Sequence, residues 1–127
     1  MSRPVLLDTS FLVAVERETS SGEHGPARKF LPSLRGRRLV VSIVSVEEIL
    51  EGAADEAAAF ASLQRFAIQG LHLAQARRCA LLQRRASRRL GETDAWLVAT
   101  AEVLNADMVG ADRKAFERLG PRYLRFR

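Results

Sequence analysis

Four acids far apart in the chain, Asp8, Glu48, Asp94 and Asp112, fall at comparable points of successive strand-to-helix transitions. Asp8 closes the apolar run 3–7, and Glu48 lies in the first turn or so after the apolar run 39–43. Asp94 opens a helical stretch, and Asp112 follows the run 107–111. Any one of them is accounted for by a helix start, where a capping or first-turn acid gains up to about 1 kcal/mol. Four together imply more. Two carboxylates about 4 Å apart repel by roughly 4 kcal/mol at an effective dielectric near 20, so a crevice holding four calls for a cation. His24, His72 and Cys79 are the only histidines and cysteine, and no H-x-E, C-x-x-C or H-E-x-x-H spacing occurs. That argues against zinc. Hard oxygen ligands select Mg²⁺, with Mn²⁺ as a substitute. Glu48 has competing roles: Ser45-Val46-Glu47-Glu48 spells a capping box, and Glu47 is an alternative acid.

The elements around these acids read as follows. A strand over 3–7 is followed by a helix capped by Thr9 or Ser10 and carrying Phe11, Leu12, Val13 and Val15. Polar residues 18–25 are expected to form a mobile loop, with a second helix after Pro26. A buried β-branched strand spans 39–43, a helix starts at Ser45 and ends near Gly52, and a further helix covers 55–67, with Phe60, Leu63 and Phe66 on one side. A brief strand is placed at 70–73, and helices at 74–90, closed by Gly91, and from Thr93 or Asp94 to Leu104. A strand over 107–111, a short helix over 113–119 stopped by Gly120 and Pro121, and a closing strand over 123–126 complete the chain. Alternating elements with apolar rather than alternating strands predict an α/β fold: a three-layer α/β/α sandwich with a parallel sheet of four or five strands. In such sheets the functional crevice lies at the carboxyl ends of the strands, the edge to which the acids are assigned.

At 127 residues the chain fits one domain, and 47% hydrophobic with 28% charged residues is the balance of a folded globular protein. Its longest apolar runs, such as 40–46, fall short of the roughly 20 residues of a membrane helix. The N-terminus lacks the basic-then-apolar pattern of a signal peptide, and a lone cysteine permits no internal disulfide. A cytoplasmic protein is expected. The net charge of +5 is carried almost wholly by arginine, the better bidentate phosphate donor. On the helix over 74–90, Arg77, Arg78, Arg84, Arg85, Arg88 and Arg89 fall in one sector of about 140° at 100° per residue. Cys79, Ala86 and Leu90 lie opposite. The arginine face is read as a phosphate-contacting surface, Arg77, Arg84, Arg85 and Arg88 foremost, rather than a merely solvated one.

Four blocks in this order resemble the PIN domain: Leu6-Leu7-Asp8-Thr9-Ser10, then Val44-Ser45-Val46-Glu47-Glu48-Ile49-Leu50-Glu51-Gly52, then Thr93-Asp94-Ala95-Trp96-Leu97-Val98-Ala99-Thr100-Ala101, and Met108-Val109-Gly110-Ala111-Asp112 with Phe116. They span nearly the whole chain. The size, and a glutamate four residues before Gly52, look most like the VapC-type toxins of toxin–antitoxin pairs, an alignment that favours Glu48 over Glu47. The resemblance implies a Mg²⁺-dependent endoribonuclease that cleaves single-stranded or loop RNA, with Asp8, Glu48, Asp94 and Asp112 as metal-holding acids. It also implies a VapB-like antitoxin partner and a homodimer, with no membrane partner. Thr9, Ser10 and Thr93 supply hydroxyls beside the acids. Two departures stand out: Gly110 occupies a place where the family often has serine or threonine, and Ala115 one where it often has aspartate. They keep a degenerate, non-catalytic binding module as the alternative. A phosphatase using Asp8 would need a second aspartate at Ser10.

Overall fold

The computed structural model describes residues 2–112 and 117–127. Five strands, β1 (Val5–Leu7), β2 (Leu39–Ser42), β3 (Ala67–Gln69), β4 (Asp107–Gly110) and β5 (Tyr123–Arg125), form one parallel sheet in the order β3-β2-β1-β4-β5. The helices are α1 (Thr9–Ser21), α2 (Pro26–Phe30), α3 (Ile43–Gly52), α4 (Glu56–Leu63), α5 (Leu73–Arg85) and α6 (Glu92–Leu104). Short 3-10 segments follow α2 and precede β5.

Successive strand residues point to opposite faces, and both faces are covered. Val5, Leu7, Val41 and Val109 enter one core with Phe11, Leu12, Val15 and Val46. Leu6, Val40 and Met108 enter a second with Leu97, Val98 and Ala101 of α6 and Cys79 and Leu82 of α5. The predicted three-layer sandwich is therefore observed. At the amino edge, Arg37 grips Asp107 at 2.6 Å and Arg3 stands 3.4 Å from it.

Several boundaries differ from the sequence reading. Residues 18–25 are not a loop throughout, because α1 continues to Ser21 and buries Glu18. That carboxylate accepts hydrogen bonds from Ala27 N at 3.0 Å and Arg28 N at 2.8 Å, the free N–H groups at the start of α2. Gly25 is a glycine for this reason, since a Cβ there would lie 2.7 Å from Glu18 Cδ. Burial opposes Glu18 ionisation, but the backbone donors of Arg28, Ala27 and Gly25 outweigh it and hold its pKa below the ordinary 4.5. A lowered carboxyl pKa stabilises the fold above the unfolded value, and that contribution fades as pH falls through the folded one. Glu18→Ala is thus expected to lower Tm by about 4 °C at pH 7. Thermal melts should show the deficit shrinking below pH 4; a deficit independent of pH would refute the charge-capping role.

Ser42, not Ser45, caps α3, its hydroxyl accepting from Val44 N at 3.1 Å, so the capping box ending at Glu48 does not form. The strand placed at 70–73 lies three residues earlier, as β3. Its residues pair with β2, while Gly70 belongs to a connection pinned by Gln75, which accepts from His72 N at 2.8 Å and donates to Gly70 O at 2.9 Å. Of the three residues read on one side of that helix, Phe60 is 41% exposed, whereas Leu63 is buried and Phe66 packs at the core's edge. The helix placed at 74–90 stops at Arg85. Continuing it would stack Arg84 on Arg88 and Arg85 on Arg89, like charges at i,i+4. Gln83 instead accepts from Leu90 N at 2.9 Å and donates to Leu90 O at 3.0 Å, folding the segment back towards α6. The helix expected over 113–119 lies largely outside the described residues, as does Phe116.

Candidate active site

Asp8 follows β1 directly, Glu48 is the sixth residue of the helix after β2, and Asp112 stands two residues past β4. Asp94 is the third residue of α6, whose other end feeds the start of β4 through Asn105 and Ala106. The start of α6 therefore points back towards the carboxyl edge, where the other three acids lie. The convergence is electrostatic as well as topological. Burial raises the Asp94 pKa above 3.8, and the charges of Asp8, Asp112 and Glu48 each raise it further.

Asp8 is buried, with its backbone N–H donating to Val109 O at 2.9 Å. Burial pushes its carboxyl pKa up, opposed by the Ser10 hydroxyl and the N–H groups of Thr9 and Ser10, and raised again by Glu48. Ser10 Oγ donates to Asp8 Oδ2 at 2.6 Å and accepts from Ala111 N at 3.2 Å, tying the acid to the turn after β4. Thr9 Oγ1 donates to Glu48 Oε1 at 2.7 Å and lies 2.9 Å from Ser45 Oγ. A hydroxyl has one proton, so Ser45 is the donor in that second contact. The Thr9 bond turns Glu48 inwards across the α1–α3 interface, whereas Glu47 is exposed. Thr93 stands beside Asp94 in the first turn of α6.

The sequence reading missed Tyr123. Its hydroxyl oxygen is buried, and a Cβ placed on Gly110 would meet it at 3.0 Å and Asp8 Oδ2 also at 3.0 Å. Burial, then the charges of Asp8, Asp112 and Asp94, push the Tyr123 pKa far above its ordinary 10, so the phenol keeps its proton. Only the pairing of β5 with β4 brings this residue beside the acids, and no short sequence pattern marks it. Ser45 and Gln83 were likewise not singled out for these roles.

The donor set suits a hard divalent cation, since it is all oxygen and its mutual repulsion is the cost such an ion relieves. Among the described residues, no three His, Cys, Asp or Glu side chains stand close enough to cage an ion as they are. The Ser10 hydroxyl engages Asp8 Oδ2 and the Thr9 hydroxyl Glu48 Oε1, so a cation would meet carboxylates already oriented by hydroxyls.

The arginine surface is only partly assembled as expected. Arg77, Arg84 and Arg85 are exposed on α5, but Arg88 and Arg89 lie beyond its end, so the single helical sector does not form. Arg77 and Arg84 line a groove of about 610 Å³ with Ala74, Leu81 and Val103. Arg78 and Arg89 face Glu102 and Glu92 at 3.4 and 3.7 Å. His24 and His72 are exposed, and Trp96 packs at the edge of the second core. Among the described residues, no helix is long and apolar enough to cross a membrane.

The PIN domain model matches residues 5–120. No curated protein matches the chain significantly by sequence. Among solved structures, a chain of a toxin–antitoxin complex from Klebsiella pneumoniae superposes with a TM-score of 0.79 at 22% identity, covering 97% of this chain and 98% of that one. A chain of VapBC-1 from nontypeable Haemophilus influenzae gives 0.71 at 18%, with 96% and 97% covered. One from DNA-bound VapBC of Salmonella typhimurium gives 0.72 at 16%, with 99% and 100% covered. At these identities the likeness concerns the fold.

Proposed function

The chain belongs to the PIN domain family, and from that premise we propose that it is a divalent-metal-dependent endoribonuclease, the toxin of a toxin–antitoxin pair. The observation that carries the reading is that Asp8, Glu48 and Asp112 come near enough to Asp94 for the charge of each to raise its pKa. These four acids would hold Mg²⁺ or Mn²⁺. A cation bound there would supply Lewis acidity towards the scissile phosphate and would lower the pKa of a bound water. One of the four carboxylates would accept that water's proton. Ser10 and Thr9 keep Asp8 and Glu48 aligned, and Gln83 fixes the segment leading to Asp94. Arg77, Arg84, Arg85 and Arg88 are exposed and meet the RNA phosphates in this reading.

The partner is a VapB-like antitoxin, in keeping with the toxin–antitoxin complexes whose fold this chain shares. A groove of about 440 Å³ between α1, α3 and α4, lined by Leu12, Val13, Ile49 and Ala59, offers an apolar seat for it. Exposed Leu73 and Val103 on the opposite layer are available to a second copy in a homodimer.

Purified protein is expected to cut single-stranded or loop RNA with Mg²⁺ or Mn²⁺, leaving a 5′-phosphate and a 3′-hydroxyl, and to stop when EDTA is added. End-group sequencing of the products checks this. Cleavage that persists in EDTA, or no cleavage with either metal, would sink the reading.

A further inference from the structure

We propose that Tyr123 is a positioning residue of the acid site: its hydroxyl, carried in from β5 through the space left by Gly110, holds Asp8 in the orientation a cation requires. The proposal rests on the metal-dependent reading above and extends it to a residue outside the four acids and their neighbouring hydroxyls.

Three observations carry it. The first is register. Leu7 pairs with Val109 and Met108 with Tyr123, so Asp8, Gly110 and Tyr123 continue the sheet face that bears Leu6 and Met108. The long phenol of Tyr123 thus runs along that face from the level of Met108 to that of Gly110. The second is the space at Gly110. A Cβ there would lie 3.0 Å from Tyr123 Oη, 3.0 Å from Asp8 Oδ2 and 3.1 Å from Asp8 Cβ, tighter than ordinary carbon contacts on both sides. The glycine is therefore required by two polar groups that share its missing side chain, and not by backbone geometry. By those distances the phenol and carboxylate oxygens flank one small space and are no more than about 6 Å apart, a gap that a single shared ligand can bridge. The third is burial. The Tyr123 hydroxyl oxygen is shielded from solvent although the ring is only half-buried, so the polar tip is the enclosed part and is aimed inward at the acids. A phenol used only for packing shows the reverse, with its apolar body inside and its tip wet.

Ser10 holds Asp8 Oδ2 from the α1 side, while Tyr123 approaches from the β5 side. Asp8 thus lies between the Ser10 hydroxyl on one side and the Tyr123 phenol on the other, the placement from which an outer polar group fixes a metal-holding carboxylate. The phenol touches neither the RNA nor the scissile phosphate in this scheme; it acts through Asp8.

The test is a Mn²⁺ titration followed by electron paramagnetic resonance on the full chain, with thermal melts alongside. Tyr123→Phe is expected to bind Mn²⁺ about tenfold more weakly while its Tm stays within about 3 °C of wild type. Gly110→Ser is expected to bind weakly as well, because its Cβ displaces Asp8. Tyr123→Phe binding as tightly as wild type overturns the proposal. A wild-type chain that binds Mn²⁺ but cuts no RNA would remove the nuclease reading, while the affinity comparison still decides the role of Tyr123. A wild-type chain that takes up no Mn²⁺ removes both.

Discussion

Asp94→Asn is expected to lower kcat/KM for RNA cleavage by 10²-fold or more while making the protein more heat-stable. The loss of activity follows from the charge removed. A metal-holding acid contributes transition-state stabilisation of several kcal/mol, and about 3 kcal/mol is already a factor of 10². A smaller loss, about 10-fold, would place Asp94 outside the ligand set as a supporting hydrogen-bond partner. The gain in stability follows from the same geometry. Burial and the charges of Asp8, Asp112 and Glu48 raise the Asp94 pKa above 3.8, so its ionised form costs stability at pH 7. A raised carboxyl pKa means the folded state binds the proton more tightly, so this cost is present above the folded pKa and disappears as pH falls through it. Asn at 94 should therefore raise Tm by about 2–4 °C at pH 7 in the absence of metal, and the advantage should vanish near pH 4. Mg²⁺ provides the counterpart measurement. It should raise the Tm of the wild-type chain in proportion to the logarithm of its excess over Kd, and leave Asp94→Asn nearly unmoved. A variant that is less stable than wild type at pH 7, or that keeps its cleavage rate, contradicts the assignment.

That opposition between stability and chemistry also explains what the sequence could and could not disclose. Strands β1, β2 and β4 are buried on both faces and read as apolar runs, so their existence and parallel pairing are written in composition and length. β3 was misplaced by three residues because it lies at the sheet edge, where Ile68 is 40% exposed and the apolar signal is weak. The end of α5 was overrun for a different reason: residues 86–90 have good helical propensity, and their departure from the helix is decided by Gln83 gripping Leu90 from seven positions away. Glu18 looked like loop polarity because its partners, the N–H groups opening α2, are backbone atoms and leave no mark on side-chain identity. The site divides along the same line. The four acids are visible because each is tied to a recognisable element, Asp8 and Asp112 just past a strand and Glu48 and Asp94 within a helix. Tyr123 is not, because its relation to Gly110 exists only once β5 has paired with β4.

Glu47 and Glu48, adjacent and chemically identical, give the sharpest remaining contrast. One residue on a helix is a rotation of about 100°, enough to carry a side chain from the buried flank to solvent. Glu48 is half-buried and accepts a hydrogen bond from Thr9 Oγ1 at 2.7 Å, and Thr9 is the residue after Asp8. Glu47 is exposed. The capping role that the sequence offered Glu48 is taken away by Ser42, which starts the helix three residues before Ser45. A glutamate released from capping and turned towards a neighbouring buried carboxylate adds repulsion, as its effect on both Asp8 and Asp94 shows, and a protein keeps such a charge only where something uses it. Glu48→Gln is accordingly expected to reduce cleavage by about 10²-fold and Glu47→Gln by less than about twofold, with both variants folded by circular dichroism. Thr9→Val, which keeps the shape and removes the donor, should fall between them at about 10-fold. Initial rates on one RNA at saturating Mg²⁺ separate the three. Equal losses at 47 and 48 would mean that the helix face has been assigned wrongly. A Thr9→Val protein as fast as wild type would mean that Glu48 needs no guide.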